Sequence, residues 1–171
     1  MAVLPVVKYG DPILRKKTKL VTNFNELESL INDMFDTMYE EQGIGLAANQ
    51  IGILKQIITV QIQDKEKKSE KTYCLFNPNI IEFSKEKILI EEGCLSLPKQ
   101  FAEIERPKSI VVRYTNEKNK IVEVEKNGME ARILQHEIDH LYGKLFVDYL
   151  SSLKRNILIK KVNKLKKMGE I

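Results

Sequence analysis

The chain has 171 residues, of which 43% are hydrophobic and 30% charged, a composition typical of a soluble globular domain and not of a disordered segment. No run of 18 apolar residues occurs, which excludes an ordinary membrane-spanning helix. Residues 1–5 lack the pattern of a secretory signal, and two cysteines, Cys74 and Cys94, are too few for a disulfide framework. We therefore expect a reducing, cytoplasmic location.

Charge is distributed unevenly along the chain. The formal net charge is +4, but residues 149–171 carry seven lysine or arginine residues against one glutamate, so the remainder is slightly acidic. A nearly neutral body with a basic tail is not typical of a uniformly basic nucleic-acid-binding protein. The length suits one domain over residues 1–171, which can bury roughly 70% of the surface of the unfolded chain.

The first strong helix signal covers residues 25–41. Its apolar residues recur at helical spacing: Leu27, Leu30, Ile31, Met34 and Met38. Asn25 and Glu28 resemble a capping box at its start, and Gly43 is expected to end it.

Strand signals dominate the middle of the chain. Apolar residues alternate at 58–62 and again at 88–90. Residues 110–114 and 121–125 predict a hairpin across the turn between them. The charged stretch 64–71 predicts an exposed connection between strands.

Two further helices are predicted in the last third of the chain. The first spans residues 129–142 and is followed by Gly143, a suitable residue just past a helix end. The second spans about 151–168, with Ser151 or Ser152 as its cap, an apolar stripe and a lysine-rich face. These elements predict an α+β fold with mainly antiparallel sheets packed around a central helix, and a helix towards each end.

The central predicted helix carries the strongest local signal for chemistry. His136 and His140 stand four residues apart, so both imidazoles lie on one helix face and can bind one metal ion. Glu137 lies beside them, where it can take a proton from water that the metal activates. The alternative is two histidines on a solvated face, but these are the only histidines in the chain.

A catalytic metal site of this kind usually has three protein ligands. The extended motif H-E-x-x-H-x-x-G-x-x-H would place a histidine where this chain has Phe146, and the only acids further along are Asp148 and Glu170. Cys94, between two predicted strands, is therefore the best candidate for the third ligand. The alternative, a small buried apolar residue, is the interpretation we favour for Cys74.

Three segments in this order resemble the peptide deformylase family of the bacterial or organellar type. They are GIGLAANQ at 43–50, EGCLS at 92–96 and QHEIDHL at 135–141. The resemblance covers nearly the whole chain. It implies removal of the formyl group from the N-terminal formyl-methionine of newly made polypeptides, with release of formate. Phe101 departs from the family pattern, because several members carry arginine at this position.

The resemblance implies a role for each motif residue. The implied metal ligands are Cys94, His136 and His140. Glu137 would be the general base and then the general acid as metal-bound water attacks the formyl carbon, and the Gln50 amide and Leu95 N–H would stabilise the oxyanion. The family implies one Fe(II) ion per chain, with Zn(II), Ni(II) or Co(II) as substitutes, whereas the donor types alone would indicate zinc.

The resemblance also implies a pocket for an unbranched methionine side chain. Its candidate walls are Ile44, Leu134, His136 and Ile138. For Ile138, packing in the core is an equally good interpretation. The backbone of Gly45 could pair with an extended substrate peptide. Arg106 is expected to contact Asp139 behind the metal-binding helix, the alternative being a surface arginine.

Other functional classes compete with this interpretation. A metallopeptidase that cuts internal bonds would need a third ligand after the histidines, and a non-catalytic ribosome- or RNA-binding protein would not need Glu137. The basic helix at 151–168 could contact the ribosome or simply be a solvated face. We expect nascent formyl-methionyl peptides as partners, a monomer, no DNA or membrane partner, and a location in the bacterial cytosol or as a mature organellar form.

Overall fold

The computed structural model describes residues 2–64 and 66–171. Residues 1 and 65, which belong to the predicted N-terminus and the predicted charged connection, lie outside the described residues. The helices are α1 (Glu28–Glu40), α2 (Gly128–Leu141) and α3 (Ser152–Lys167). The strands are β1 (Gly45–Ala47), β2 (Ile57–Asp64), β3 (Ser69–Phe83), β4 (Lys87–Cys94), β5 (Leu97–Pro107), β6 (Ser109–Thr115) and β7 (Ile121–Asn127). Short 3-10 helices cover Pro12–Arg15, Ala48–Ile51 and Phe146–Tyr149.

Antiparallel pairing connects all of these strands, as the α+β prediction requires. One sheet has the order β1-β2-β3-β6-β7, and β4 and β5 form a separate hairpin. Helix α2 packs against the larger sheet through one apolar cluster, and β5 packs against α3 through another. The prediction of an α+β fold with mainly antiparallel sheets around a central helix is therefore confirmed.

The prediction for the start of α1 is wrong. Asn25 does not cap the helix, which begins at Glu28 with Leu27 at the cap position and no side-chain hydrogen bond there. The N–H of Asn25 donates instead to Oδ1 of Asn23, at 3.0 Å. Asparagine side chains readily make such local turns, and this turn competes with the helix for the same residues.

The other helix boundaries follow the sequence closely. At the end of α1, the N–H of Gly43 donates to the Met38 carbonyl at 2.9 Å, and Gln42 takes the left-handed conformation. Helix α2 begins one residue earlier than predicted, and Gly143 has φ +78° just beyond it. Ser151 caps α3 by accepting a hydrogen bond from the N–H of Lys154.

The strands are longer than the sequence pattern predicts. The predicted hairpin is confirmed as β6 and β7, but β3 begins at Ser69, inside the predicted charged connection. The sequence pattern does not predict β1, β3 or β5 as strands, because their apolar and polar residues do not alternate cleanly. Within residues 2–64 and 66–171, no helix is long and apolar enough to cross a membrane.

Candidate active site

Helix α2 buries three ionisable side chains that the sequence places in one motif. His136, Glu137 and His140 are all buried, because α2 lies between the sheet and the β4–β5 hairpin. The four-residue spacing brings the Nε2 atoms of the two histidines to 3.3 Å from each other. Two imidazole nitrogens therefore converge on one point at the buried face of the helix.

Cys94 joins the histidines from the end of β4. The β4–β5 register shifts between Gly93 and Cys94, and the cysteine Sγ lies 3.3 Å from Nε2 of His140. The ligand atoms of Cys94, His136 and His140 all lie within 4.8 Å of one another. Two nitrogens each about 2.0–2.1 Å from a tetrahedral ion lie about 3.3 Å apart, so this donor set fits a single metal ion.

The two histidines differ in their electrostatic surroundings. Burial lowers the pKa of His140 well below its usual value, and the neighbouring His136 lowers it further. A neutral imidazole is the form that binds a metal ion. Burial also lowers the pKa of His136, but hydrogen bonds to Cys94 and Glu92 outweigh that effect and raise it well above the usual value.

Glu92 accepts hydrogen bonds from one histidine and two arginines at the site, a role that sequence reasoning missed. Its Oε1 accepts a hydrogen bond from Nδ1 of His136 at 2.8 Å. Its Oε2 accepts from Nε of Arg106 at 2.7 Å and from Nη1 of Arg132 at 2.6 Å. Burial alone would raise the pKa of Glu92, but the hydrogen bonds from His136 and Arg106 lower it to about 2. The carboxylate therefore stays charged, and its hydrogen bond to Nδ1 orients the His136 ring so that Nε2 faces His140.

Arg106 also connects this carboxylate to the solvent side of α2. Its Nη1 donates to Oδ2 of Asp139 at 2.7 Å, and the Tyr149 hydroxyl donates to the same oxygen at 2.7 Å. The guanidinium lies 4.6 Å from the centre of the Tyr149 ring. Arg106 is buried, so the alternative of a surface arginine does not apply.

The 3-10 helix after β1 contributes two buried amides. Asn49, which sequence reasoning did not single out, donates from Nδ2 to the His140 carbonyl at 2.6 Å. Gln50 accepts from the Ala47 N–H at 3.0 Å and donates from Nε2 to Oγ of Ser96 at 3.1 Å. Its Nε2 is also 3.6 Å from the sulfur of Cys94. The amide nitrogen of Gln50 is thus held next to the metal-ligand cluster.

Glu137 is a buried carboxylate with spare hydrogen-bonding capacity. Its Oε2 has no hydrogen-bond partner among the described residues, and its Oε1 lies 3.8 Å from Nε2 of His136. Burial raises the pKa of Glu137 to about 7. A Cβ on Gly45 would lie 2.8 Å from Cγ of Glu137, so only glycine allows β1 to pass this close.

A cavity of about 830 Å³ opens onto these groups. Its lining includes Ile44, Gly45, Gln50, Cys94, Leu95, His136 and Glu137. The predicted pocket walls Leu134 and Ile138 do not line it. Both are buried in the apolar cluster between α2 and the sheet, because their positions on α2 face β2 and β6. The lining instead contains Met129 and Ile133 from α2, which the sequence pattern did not distinguish from core residues.

A half-buried cysteine and two buried histidines, an adjacent carboxylate and an open cavity form the kind of arrangement that mononuclear metallohydrolases use. Comparison with known proteins identifies the family. The model of the family described as Polypeptide deformylase matches residues 3–156. Peptide deformylase 1 of Rickettsia conorii is 44% identical over 171 residues, covering 97% of this chain and 98% of the relative.

Similar solved structures belong to the same family. The peptide deformylase of Ehrlichia chaffeensis superposes with a TM-score of 0.93 at 37% identity, covering 99% of this chain and 100% of that one. The class I type b peptide deformylase of Acinetobacter baumannii, solved with Met-Ala-Ser bound, has a TM-score of 0.80 at 39% identity, covering 87% of this chain and 99% of that one. The chain belongs to the polypeptide deformylase family and is an enzyme. This family removes N-formyl groups from nascent peptides.

Proposed function

We propose that this enzyme removes the formyl group from the N-terminal formyl-methionine of newly made polypeptides, releasing formate, with Glu137 as general base and then general acid. The observation that carries the proposal is the buried Glu137 carboxylate beside the Cys-His-His cluster, one oxygen of which accepts no hydrogen bond from residues 2–64 or 66–171. With a pKa of about 7, this carboxylate can both accept and return a proton at neutral pH.

The chain's own groups supply the remaining steps of the proposed mechanism. When bound to Cys94, His136 and His140, a divalent metal supplies a Lewis acid and lowers the pKa of water. Glu137 takes the proton of the attacking water and delivers it to the leaving amine. The Gln50 amide, held by Ala47 and Ser96, and the Leu95 N–H donate to the developing oxyanion.

The proposed metal is Fe(II), one ion per chain, with Zn(II), Ni(II) or Co(II) able to substitute. The donor set fits any of these ions, since a thiolate and two imidazoles suit several first-row metals. Family membership is the reason for choosing iron. Metal analysis of protein purified without oxygen, followed by reloading with each ion in turn, would test this assignment.

The substrate peptide would enter along β1. Ile44, Gly45 and His136 line the cavity next to the metal-ligand cluster, and β1 is at the edge of its sheet. An edge strand can pair with an extended peptide through its backbone. The Met-Ala-Ser bound to the Acinetobacter baumannii relative supports a peptide of this type as the ligand.

The domain organisation, oligomeric state, location and ribosome contact of the enzyme are proposed from the sequence. We propose a single domain over residues 1–171, a monomer, a cytoplasmic location, and contact with the ribosome through the basic helix at 151–168. Bacterial cytosol is favoured, with a mature organellar form as the alternative. The lysine-rich exposed face of α3 supports the ribosome contact, because an RNA-rich surface attracts such a face.

Product analysis separates this function from an internal metallopeptidase. After incubation of the metal-loaded enzyme with formyl-Met-Ala-Ser, mass spectrometry should find intact Met-Ala-Ser and formate. Shorter fragments that retain the formyl group would instead identify a metallopeptidase. Glu137→Gln, which keeps the shape of the side chain but removes the base, should yield neither product while still binding metal.

A further inference from the structure

The metal-ligand cluster joins two parts of the fold that have separate apolar cores. One apolar cluster connects α2, which carries His136 and His140, to the larger sheet. Another connects the β4–β5 hairpin to α3, and Cys94 packs against it. Among the described residues, the two clusters share no member. Packing within either cluster therefore does not fix the position of Cys94 relative to the two histidines.

The buried side chain of Arg132, on α2, connects these two parts. Its Nη1 donates to Oε2 of Glu92 at 2.6 Å and to the Ile104 carbonyl of β5 at 2.7 Å. Its Nη2 donates to the Ile88 carbonyl of β4 at 2.5 Å. One guanidinium thus binds three acceptors on the two strands of the hairpin. Because the group is planar and its donors are fixed relative to one another, it holds these acceptors in one geometry.

The contacts of Arg132 reach the part of β4 that ends in the cysteine ligand. Glu92 precedes Cys94 by two residues, and Cys94 is the last residue of the strand. The same Glu92 accepts a hydrogen bond from Nδ1 of His136 at 2.8 Å. Arg132 therefore binds a carboxylate that lies on the strand of the cysteine and is bonded to one of the histidines. Groups that hold ligand side chains in this way set the geometry of a metal site.

We propose that Arg132 is a positioning residue for the metal site, which fixes Cys94 at binding distance from the two histidines. The inference rests on the proposed metal ligands. Methionine at this position has a similar length but no donor, so three acceptors lose this hydrogen bond and Glu92 loses one of its two arginines. The hairpin is then free to shift along α2. Because a metal site needs its ligands held to within about 0.5 Å, a small shift weakens binding.

Titration with Co(II) tests the proposal, because a thiolate bound to Co(II) gives a charge-transfer absorption band in the near ultraviolet. Chelator competition measures the affinity. Arg132→Met should bind Co(II) about 10–100-fold more weakly than the wild type, and its band should be weaker even at saturating Co(II). Arg132→Lys keeps the charge, but one ammonium group does not span all three acceptors, so its affinity and band should be intermediate. A purely structural role would leave the band of the folded variants unchanged.

Gln135 provides a matched control. It is also buried on α2, and its Nε2 donates at 2.9 Å to the carbonyl of Pro107, at the end of the hairpin far from Cys94. Gln135→Leu should keep the wild-type Co(II) affinity and band. Wild-type affinity and band in Arg132→Met, or losses of equal size in Gln135→Leu, would overturn the inference.

The lysine variant keeps the test decisive if Arg132→Met does not fold. Wild-type affinity and band in Arg132→Lys would then overturn the inference. Absence of the charge-transfer band from the wild-type protein loaded with Co(II) would instead overturn the proposed set of metal ligands, and with it the proposed mechanism.

Discussion

At the residue scale, the candidate site combines groups that the sequence reveals with groups that only the fold reveals. The histidine pair stands out because both histidines of the chain lie in one five-residue motif. Glu92 does not stand out, because a glutamate in a strand usually faces solvent. Its importance comes from Arg106 and Arg132, which the fold brings to it from β5 and α2. Such long-range partners cannot be read from local spacing.

Replacing Glu92 by glutamine should weaken metal binding. The change removes the negative charge to which the His136 Nδ1–H donates. It also removes the negative charge that balances the positive charges of two buried arginines. We expect metal affinity to fall about 10–100-fold, and the free energy of unfolding to fall by ~3–5 kcal/mol. Chelator competition and urea denaturation measure the two effects. Glu91→Gln, at an exposed neighbouring position, is the control, and equal metal affinity in both variants would refute the role given to Glu92.

Gly45→Ala should impair catalysis without removing the metal. The new Cβ would lie 2.8 Å from Cγ of Glu137, so the carboxylate must move. A misplacement of about 1 Å can reduce the rate about 100-fold. We expect kcat to fall by that order while the metal content, measured in the same preparation, stays at the wild-type level. An unchanged kcat would show that the position of Glu137 is not critical.

At the element scale, the accuracy of prediction follows the strength of the local signal. The sequence predicts α2 to within one residue at each end, because apolar spacing marks the helix and a following glycine marks where it stops. It misplaces the start of α1, where the Asn23 side chain forms a local turn. The family resemblance also assigns Leu134 to a substrate pocket, but Leu134 packs in the core, and helical spacing could not correct the assignment because it does not tell a core-facing residue from a cavity-facing one. The antiparallel sheet was predictable in class but not in strand order, since order depends on long-range pairing.

The connection after α2 offers a test at this scale. Gly143 has φ +78°, and a Cβ there would lie 2.5 Å from the Arg15 carbonyl oxygen. Gly169, just past α3, has a similar φ of +71° but has nothing within 4 Å of a Cβ. Gly169→Ala should therefore lower the free energy of unfolding by ~1–2 kcal/mol from backbone strain alone.

Gly143→Ala should lower it by a further ~1–3 kcal/mol, because the backbone of the N-terminal segment must shift to admit the methyl group. Urea denaturation of both variants measures the difference. Equal losses would mean that the contact between Arg15 and the end of α2 relaxes freely.

At the scale of the whole molecule, α3 has two faces. Leu158 and Val162 are buried against the β5 cluster, so deletion of the helix would expose the core and would not be a clean test of ribosome contact. Charge reversal on the exposed face avoids this problem. The test variant carries Lys160→Glu, Lys161→Glu and Lys164→Glu. The control carries the same charge change elsewhere on the surface, as Lys85→Glu, Lys87→Glu and Lys118→Glu.

The α3 variant should pellet less with ribosomes at low salt than the control does, while both hydrolyse short formyl peptides at the wild-type rate. Raising the salt concentration should abolish pelleting of the wild type, because binding to phosphate-rich surfaces depends on counterion release. Equal pelleting of the two variants would contradict a specific role for α3.

The central claim is that Glu137 acts with a metal held by Cys94, His136 and His140 to remove a formyl group. The most direct measurement is the rate of formate release from formyl-Met-Ala-Ser by enzyme purified without oxygen and loaded with Fe(II), compared with Glu137→Gln loaded in the same way. We predict rapid release by the wild type and a loss of at least about 100-fold in the variant at equal metal content. Equal rates in the two proteins would contradict the account.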